Sequence, residues 1–278
     1  MDKHGARERL SSALMLGLAA LALWPMANLI LNLLSEALPA WHGRFLTEPP
    51  RDAGRSGGIS SLLQSTALIL AVCLATVVSL GTACALYLSE AAGNSRLGRG
   101  AGHALDVLAG VPSIVYGLFG YLFFAQALGL GFSILAGGLS LACMALPLYV
   151  RLAQQALQQV PARYRRAAEA LGLSHAGFVR RILLPTAAPG LAAALIVTAG
   201  RALAETAVLI FTAGYVTRPP ESLLDSGRAL SVHIYDLAMN VPGGQHAAAA
   251  TALVLVAILI TFNLGARAMA RHWQHPHP

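Results

Sequence analysis

Residues 161–206 read PARYRRAAEALGLSHAGFVRRILLPTAAPGLAAALIVTAGRALAET, and the order of charge in this stretch decides how the chain folds. Its first half holds Arg163, Arg165, Arg166, Arg180 and Arg181 with Glu169; its second half is apolar until Arg201 and Glu205. A basic, helix-forming loop therefore runs straight into a membrane span that carries a buried ion pair. One end of such a segment suits the cytoplasmic face, the other a solute path.

The rest of the chain agrees with a membrane setting. Of its 278 residues 56% are hydrophobic and 11% charged, against about 25% charged in soluble domains. Apolar runs near the ~20 residues that a spanning helix needs recur throughout. They predict one all-α, polytopic membrane domain over 1–278, with six transmembrane helices at about 11–34, 62–88, 105–128, 132–150, 188–213 and 247–268. The net charge of +7 belongs to arginines flanking spans, which points to lipid and the positive-inside bias rather than to nucleic acid. Thirteen of the nineteen Lys and Arg fall in segments assigned to the inner side, five in outer segments, and Arg201 within a span. Both termini are then cytoplasmic, and the first span, long and without a small-residue cleavage site, is not a cleaved signal.

Cys73, Cys84 and Cys143 lie in apolar runs without metal-ligand spacing and read as small hydrophobes. His272, His275 and His277 flank Trp273 in a solvated tail. No metal site and no catalytic constellation stands out. In the second span Ala67, Ala71, Ala75, Ser79 and Ala83 recur every fourth residue, a strip that lets another helix approach closely. Pro25 is expected to kink the first span, and Pro112 to bend the start of the third. Asp106 sits at that span's edge, in the interface.

Within the basic loop, residues 151–187, Pro161 starts a helix and Gly172 ends it in a left-handed turn. Ser174 caps a second helix that Pro185 stops. The loop resembles the coupling motif of ABC importer permeases, E-A-A-x3-G-x9-I-x-L-P. Ala167, Ala168, Gly172, Ile182, Leu184 and Pro185 match at that spacing, whereas Arg166 stands where the family has Glu. The resemblance implies that this helix pair docks on a cytoplasmic ATPase. The chain has no G-x-x-x-x-G-K-[ST] phosphate loop of its own, so ATP and Mg would be used by that partner and no cofactor is bound here.

Arg201 and Glu205, four apart, share one helix face, and ionisable side chains inside a span mark a solute path or a helix tie. The segment GRALAETAVLIFTAG resembles the R-A-x-G-E-T-A-P-L-L-F-T-A motif of A-type permeases of phosphate-specific importers. Arg201, Glu205, Thr206, Ala207, Leu209, Phe211, Thr212 and Ala213 match; Ala204 and Val208 replace its Gly and Pro. GGISSLLQST, AGVPSIVYGLFG and HIYDLA resemble the same family, which extends the likeness over nearly the whole chain. It implies the type I (MetI-like) permease fold, an outer helix wrapping a five-helix core, in the inner membrane. It also implies a related C-type permease, two ATPase copies and an extracytoplasmic phosphate-binding protein as partners. On this view Arg201 meets the anion through planar paired donors, Glu205 holds Arg201 when the path is empty, and Thr206 lines the path. A permease for another oxyanion, molybdate or sulfate, and a membrane scaffold or sensor remain alternatives.

Overall fold

The computed structural model describes the backbone of residues 3–92 and 95–273, and the side chains of residues 12, 14–92 and 95–265. The basic flanks Lys3, Arg7, Arg9, Arg267 and Arg271, and the histidine tail with Trp273, lie outside the described side chains.

Helix α1, Lys3–Ala37, passes through Pro25 without a break. A short strand pair follows, β1 (Pro50–Arg51) antiparallel to β2 (Ser56–Gly57). Helix α2 is Ser60–Ala92, with widened π turns at Val77–Gly81 and Tyr87–Ala92. Helices α3 (Arg96–Ala109) and α4 (Ser113–Ala127) meet at a 99° bend. Helix α5 is Ile134–Gln158, α6 Ala162–Ala170 and α7 His175–Leu203. Helices α8 (Ala207–Ile210), α9 (Leu230–Met239) and α10 (Gln245–Trp273) complete the chain. Among the described residues five helices are long and apolar enough to cross a membrane, and α3 with α4 makes a sixth crossing if the bent pair is taken together.

The third span departs most from expectation. Instead of one helix over 105–128, the chain turns at Gly110–Pro112. Proline disfavours helix for Val111 before it, and Pro112 itself has ψ 140°, outside the helical range. Tyr116 OH donates to Leu108 O at 2.8 Å across the bend, so a carbonyl freed at the end of α3 is satisfied. The predicted loop over 89–104 is thus largely helical: Ser95 caps α3 by accepting from Gly98 N at 3.0 Å. Arg151 of α5 fixes α3 through Nε to Asp106 Oδ1 at 3.0 Å and Nη2 to Gly102 O at 2.7 Å.

Helix α5 is the hub. Its buried side chains, among them Ile134, Leu141, Ala145, Tyr149, Val150 and Ala153, meet α2, α4 and α7. Glycines set the spacing: a Cβ on Gly138 would lie 2.6 Å from Val72, one on Gly81 2.6 Å from Tyr149, and one on Gly190 2.6 Å from Ala156. The face of α2 that enters this core bears Ser65, Ile69, Cys73, Val77 and Ala85. The small strip Ala67, Ala71, Ala75, Ser79 and Ala83 lies on the exposed side. Larger side chains won the core face because burying more apolar area there yields more free energy.

Helix α1 stands apart. It packs on α10 through Leu33 and Ala37 against Leu253, Val254 and Ile258, while Leu14, Leu21 and Trp24 stay exposed. A peripheral helix beside a core bundle is the arrangement the resemblance implied.

Candidate functional site

Helix α7 explains how the basic loop and the charged pair come to share one rod. Pro185 does not stop the second loop helix. The turn Val179–Leu183 is wound wide, so that Leu184 N donates to Val179 O, five residues back. Proline then falls at the start of the next α-helical stretch, where its missing N–H costs nothing. The helix runs on unbroken to Leu203.

There it ends, short of the predicted 213. Residues 204–206 leave the helix, α8 makes one turn, and the backbone reverses at Gly214 with φ +90°. Arg201 lies in the last turn of α7, where a cation complements the helix dipole. Its Nη2 is 3.4 Å from Glu205 Oε1. The pair therefore closes across a helix end rather than along a continuous helix. It is also not buried: the Arg201 side chain is 54% exposed and that of Glu205 14%. Gly200 has open space beside it, Val197 and Ala204 are exposed, and Thr206 is half-buried. Arg201 stands about 30 Å along the helix from Arg181 at ~1.5 Å per residue, against a hydrocarbon core about 30 Å thick. That distance puts the pair toward the end of the span opposite the basic loop, not at the bilayer centre.

The break is held from behind. Ser231 of α9 donates from Oγ to Glu205 O at 2.7 Å, and Glu205 N donates to Ala202 O at 3.2 Å. Non-helical backbone at membrane depth persists only when buried in protein or lining a watery cavity. Here the carbonyl side is covered by protein and the guanidinium side is open. Ser231 had no periodic or charge signal by which it would have been found.

Next to it, α9 and the strand pair form a polar cap. Arg228 Nη1 is 2.9 Å from Asp236 Oδ2, and Nε donates to Tyr215 O at 2.9 Å. Arg228 Nη1 also donates to His233 Nδ1 at 3.3 Å. His233 is 1% exposed. Burial, followed by the positive charge of Arg228 and opposed by Asp236, pushes its pKa down to about 4. Gly54, at φ +93°, presses on this ring: a Cβ there would sit 2.4 Å from His233 Cε1.

At the opposite, basic end, α6 and the start of α7 form a two-helix surface joined at Gly172, φ +68°. Ser174 caps α7, accepting from Gly177 N at 3.2 Å. Ala168, Phe178 and Leu183 face inward. Arg166, Ala167, Gly172 and Pro185 are exposed, Ile182 is half-buried, and Leu171 projects with 78% of its surface exposed. The predicted loop residues thus split into an inward anchor and an outward face. The two predicted sites, Arg201–Glu205–Thr206 and the loop residues, do not come together; they mark opposite ends of α7.

A helical bundle of five or six apolar spans, with an exposed helix pair at one end and an open arginine at a helix break near the other, defines a membrane transport component. The chain matches the model of binding-protein-dependent transport system inner membrane components over residues 78–274, and it belongs to that family of multi-pass inner-membrane proteins. It is 36% identical over 207 residues to phosphate transport system permease protein PstA 2 of Mycobacterium bovis, covering 74% of this chain and 67% of that one. It is 30% identical over 239 residues to the probable ABC transporter permease protein YqgI of Bacillus subtilis, covering 81% of each. Among solved structures, it shares its fold with a chain of the MetNI methionine ABC transporter in an inward-facing form (TM-score 0.62, 19% identity, 76% of this chain and 94% of that one). A bacterial ABC transporter importing alginate is also similar (TM-score 0.67, 15% identity, 97% and 98% covered). The expected MetI-like permease fold is therefore present.

Proposed function

We propose that this chain is the permease subunit of an ATP-driven importer that moves inorganic phosphate across the inner membrane, with both termini cytoplasmic. The observation that carries the reading is the half-open Arg201 at the helix break, in a chain related to phosphate permeases. A guanidinium offers planar paired donors that fit a tetrahedral oxyanion. Its contact with Glu205 is long enough to yield to an entering anion, and the carboxylate would accept a hydrogen bond from a protonated phosphate, which sulfate lacks at neutral pH.

Because more than half of the Arg201 side chain is open, the path needs a second wall, and a related C-type permease supplies it. One of two ATPase copies docks on the exposed face of α6 and α7, with Arg166, Ala167 and Leu171 outermost, and the other docks on the C-type permease. ATP and Mg bind there and not on this chain. An extracytoplasmic phosphate-binding protein delivers the anion at the end of α7 that carries Arg201. Reconstitution of the complex in vesicles tests this reading. ATP-dependent uptake of labelled phosphate, competed by phosphate and not by sulfate or molybdate, is expected. Competition by either of the other oxyanions reassigns the substrate, and no ATP-dependent uptake removes the transport reading.

A further inference from the structure

Glu90 lies in the last, widened turn of α2, at the basic end of the molecule. Its side chain is 7% exposed, and Arg165 Nη2 donates to both carboxylate oxygens, at 2.6 and 2.5 Å. The Arg165 guanidinium in turn lies 5.0 Å over the Phe178 ring, a cation–π contact. His175 Nε2 is 4.0 Å from Glu90 Oε2. One buried carboxylate therefore gathers three elements: α2, which carries it; α6, which supplies Arg165; and the start of α7, which supplies His175 and Phe178.

The covalent chain makes this gathering necessary. Helix α7 is continuous with the exposed loop, so a push on the loop reaches α7 directly. Helix α2 is separated from α6 by the whole of α3, α4 and α5, and nothing in the backbone makes it follow. Both helices that meet at the carboxylate are wound as π turns close to the contact, Tyr87–Ala92 in α2 and Val179–Leu183 in α7. Such turns interrupt the regular ladder and concentrate at functional positions.

We propose that Glu90 is a positioning residue for coupling: through Arg165 it ties the first loop helix to α2, so that displacement of the loop by an ATPase moves α2 together with α7. A charge-assisted pair suits this task because it is directional and, with Glu90 7% and Arg165 41% exposed, partly shielded from solvent. The proposal rests on the importer reading above and adds a second route by which motion enters the bundle.

The test uses the reconstituted complex with spin labels at Ala91→Cys and Ala162→Cys, both exposed positions beside the pair. In the unsubstituted pair the label distance stays constant with and without ATP, because the two elements move as one. In Glu90→Gln it changes on ATP addition, and phosphate moved per ATP hydrolysed falls by about tenfold, within the ordinary range of coupling between sites. Arg165→Lys, which keeps the charge, retains most of the coupling; it also serves as the informative variant if Glu90→Gln fails to assemble. A label distance that changes with ATP in the unsubstituted pair, or stays constant in Glu90→Gln with normal uptake per ATP, overturns the proposal. An unsubstituted complex that keeps the distance constant but takes up no phosphate sinks the substrate reading and leaves the tie standing.

Discussion

Arg201 holds Glu205 at 3.4 Å while keeping most of its own side chain open. A helix tie and an anion ligand respond differently when both charges are removed. Two amides can still bond across the break, and no charge stays unpaired, so a tie would recover in Arg201→Gln with Glu205→Gln. An anion ligand would not. The double variant is expected to assemble and hydrolyse ATP but to lose phosphate uptake at least ~100-fold, the scale on which a charged oxyanion donor acts. Recovered uptake would leave Arg201 as a tie. His233 makes a separate prediction. In the unfolded chain a histidine titrates near 6.5, whereas here it is held neutral to about 4. Between those values the unfolded state binds the extra proton, so stability is full above ~6.5, falls as pH drops, and levels off below ~4. The full loss is about 3 kcal/mol. Thermal unfolding in detergent at pH 7.5 and 5 should show about 2 kcal/mol of this loss; His233→Gln, which cannot take up a proton, should show a much smaller pH difference.

At the level of elements, Gly172 decides whether two loop helices or one are formed. There is open space around it, so bulk is not what selects glycine; φ +68° is. A left-handed residue with a Cβ costs roughly 1–2 kcal/mol, with Asn tolerated better than most. Gly172→Leu is expected to lower uptake per ATP severalfold and Gly172→Asn to be near neutral, read as phosphate transported against ATP consumed. The glycine turn and the Ser174 cap were legible because a single local residue specifies each. Pro185 misled as a stop because the widened turn before it absorbs the missing donor, and a π turn leaves no mark in composition. The end of α7 at Leu203 was illegible for a similar reason. Apolar residues continue past it, and the bond that satisfies the departing Glu205 carbonyl comes from Ser231, distant in sequence. The 99° bend announced itself through Gly110 and Pro112, but not its size.

For the molecule as a whole, sidedness is the property most open to test. Cysteines at the exposed positions Ser56 and Ser222 should react from outside intact cells with an impermeant thiol reagent, and cysteines at Gly100 and Ala170 should react only after permeabilisation. The opposite pattern would invert the topology, and with it the docking of ATPases on α6. Long apolar runs made the number of crossings readable, since bilayer thickness imposes it, and arginine placement predicts the direction that this labelling tests. Which helix faces inward was less so. In α2 the regular strip of small residues drew the eye, yet the opposite face built the core, because apolar run and small-residue strip coexist on one rod and only the neighbouring helix distinguishes them.

The position of α1 has a consequence for how the chain is made. Among the described residues its main packing partner is α10, which follows it far along the chain. Roughly 200 residues separate the two, so at ~5–20 residues per second α1 waits on the order of 10–40 s for its neighbour. During that interval it must be content in lipid alone. Its leucine-rich, almost uniformly exposed surface meets that demand. Helix α5, with Ser140, Tyr149 and Arg151 along it, does not, and enters a membrane where α2 and α4 are already present to receive it. Order of synthesis, as much as final packing, thus favours a sequence that can rest in lipid alone for the helix that arrives first and is embraced last.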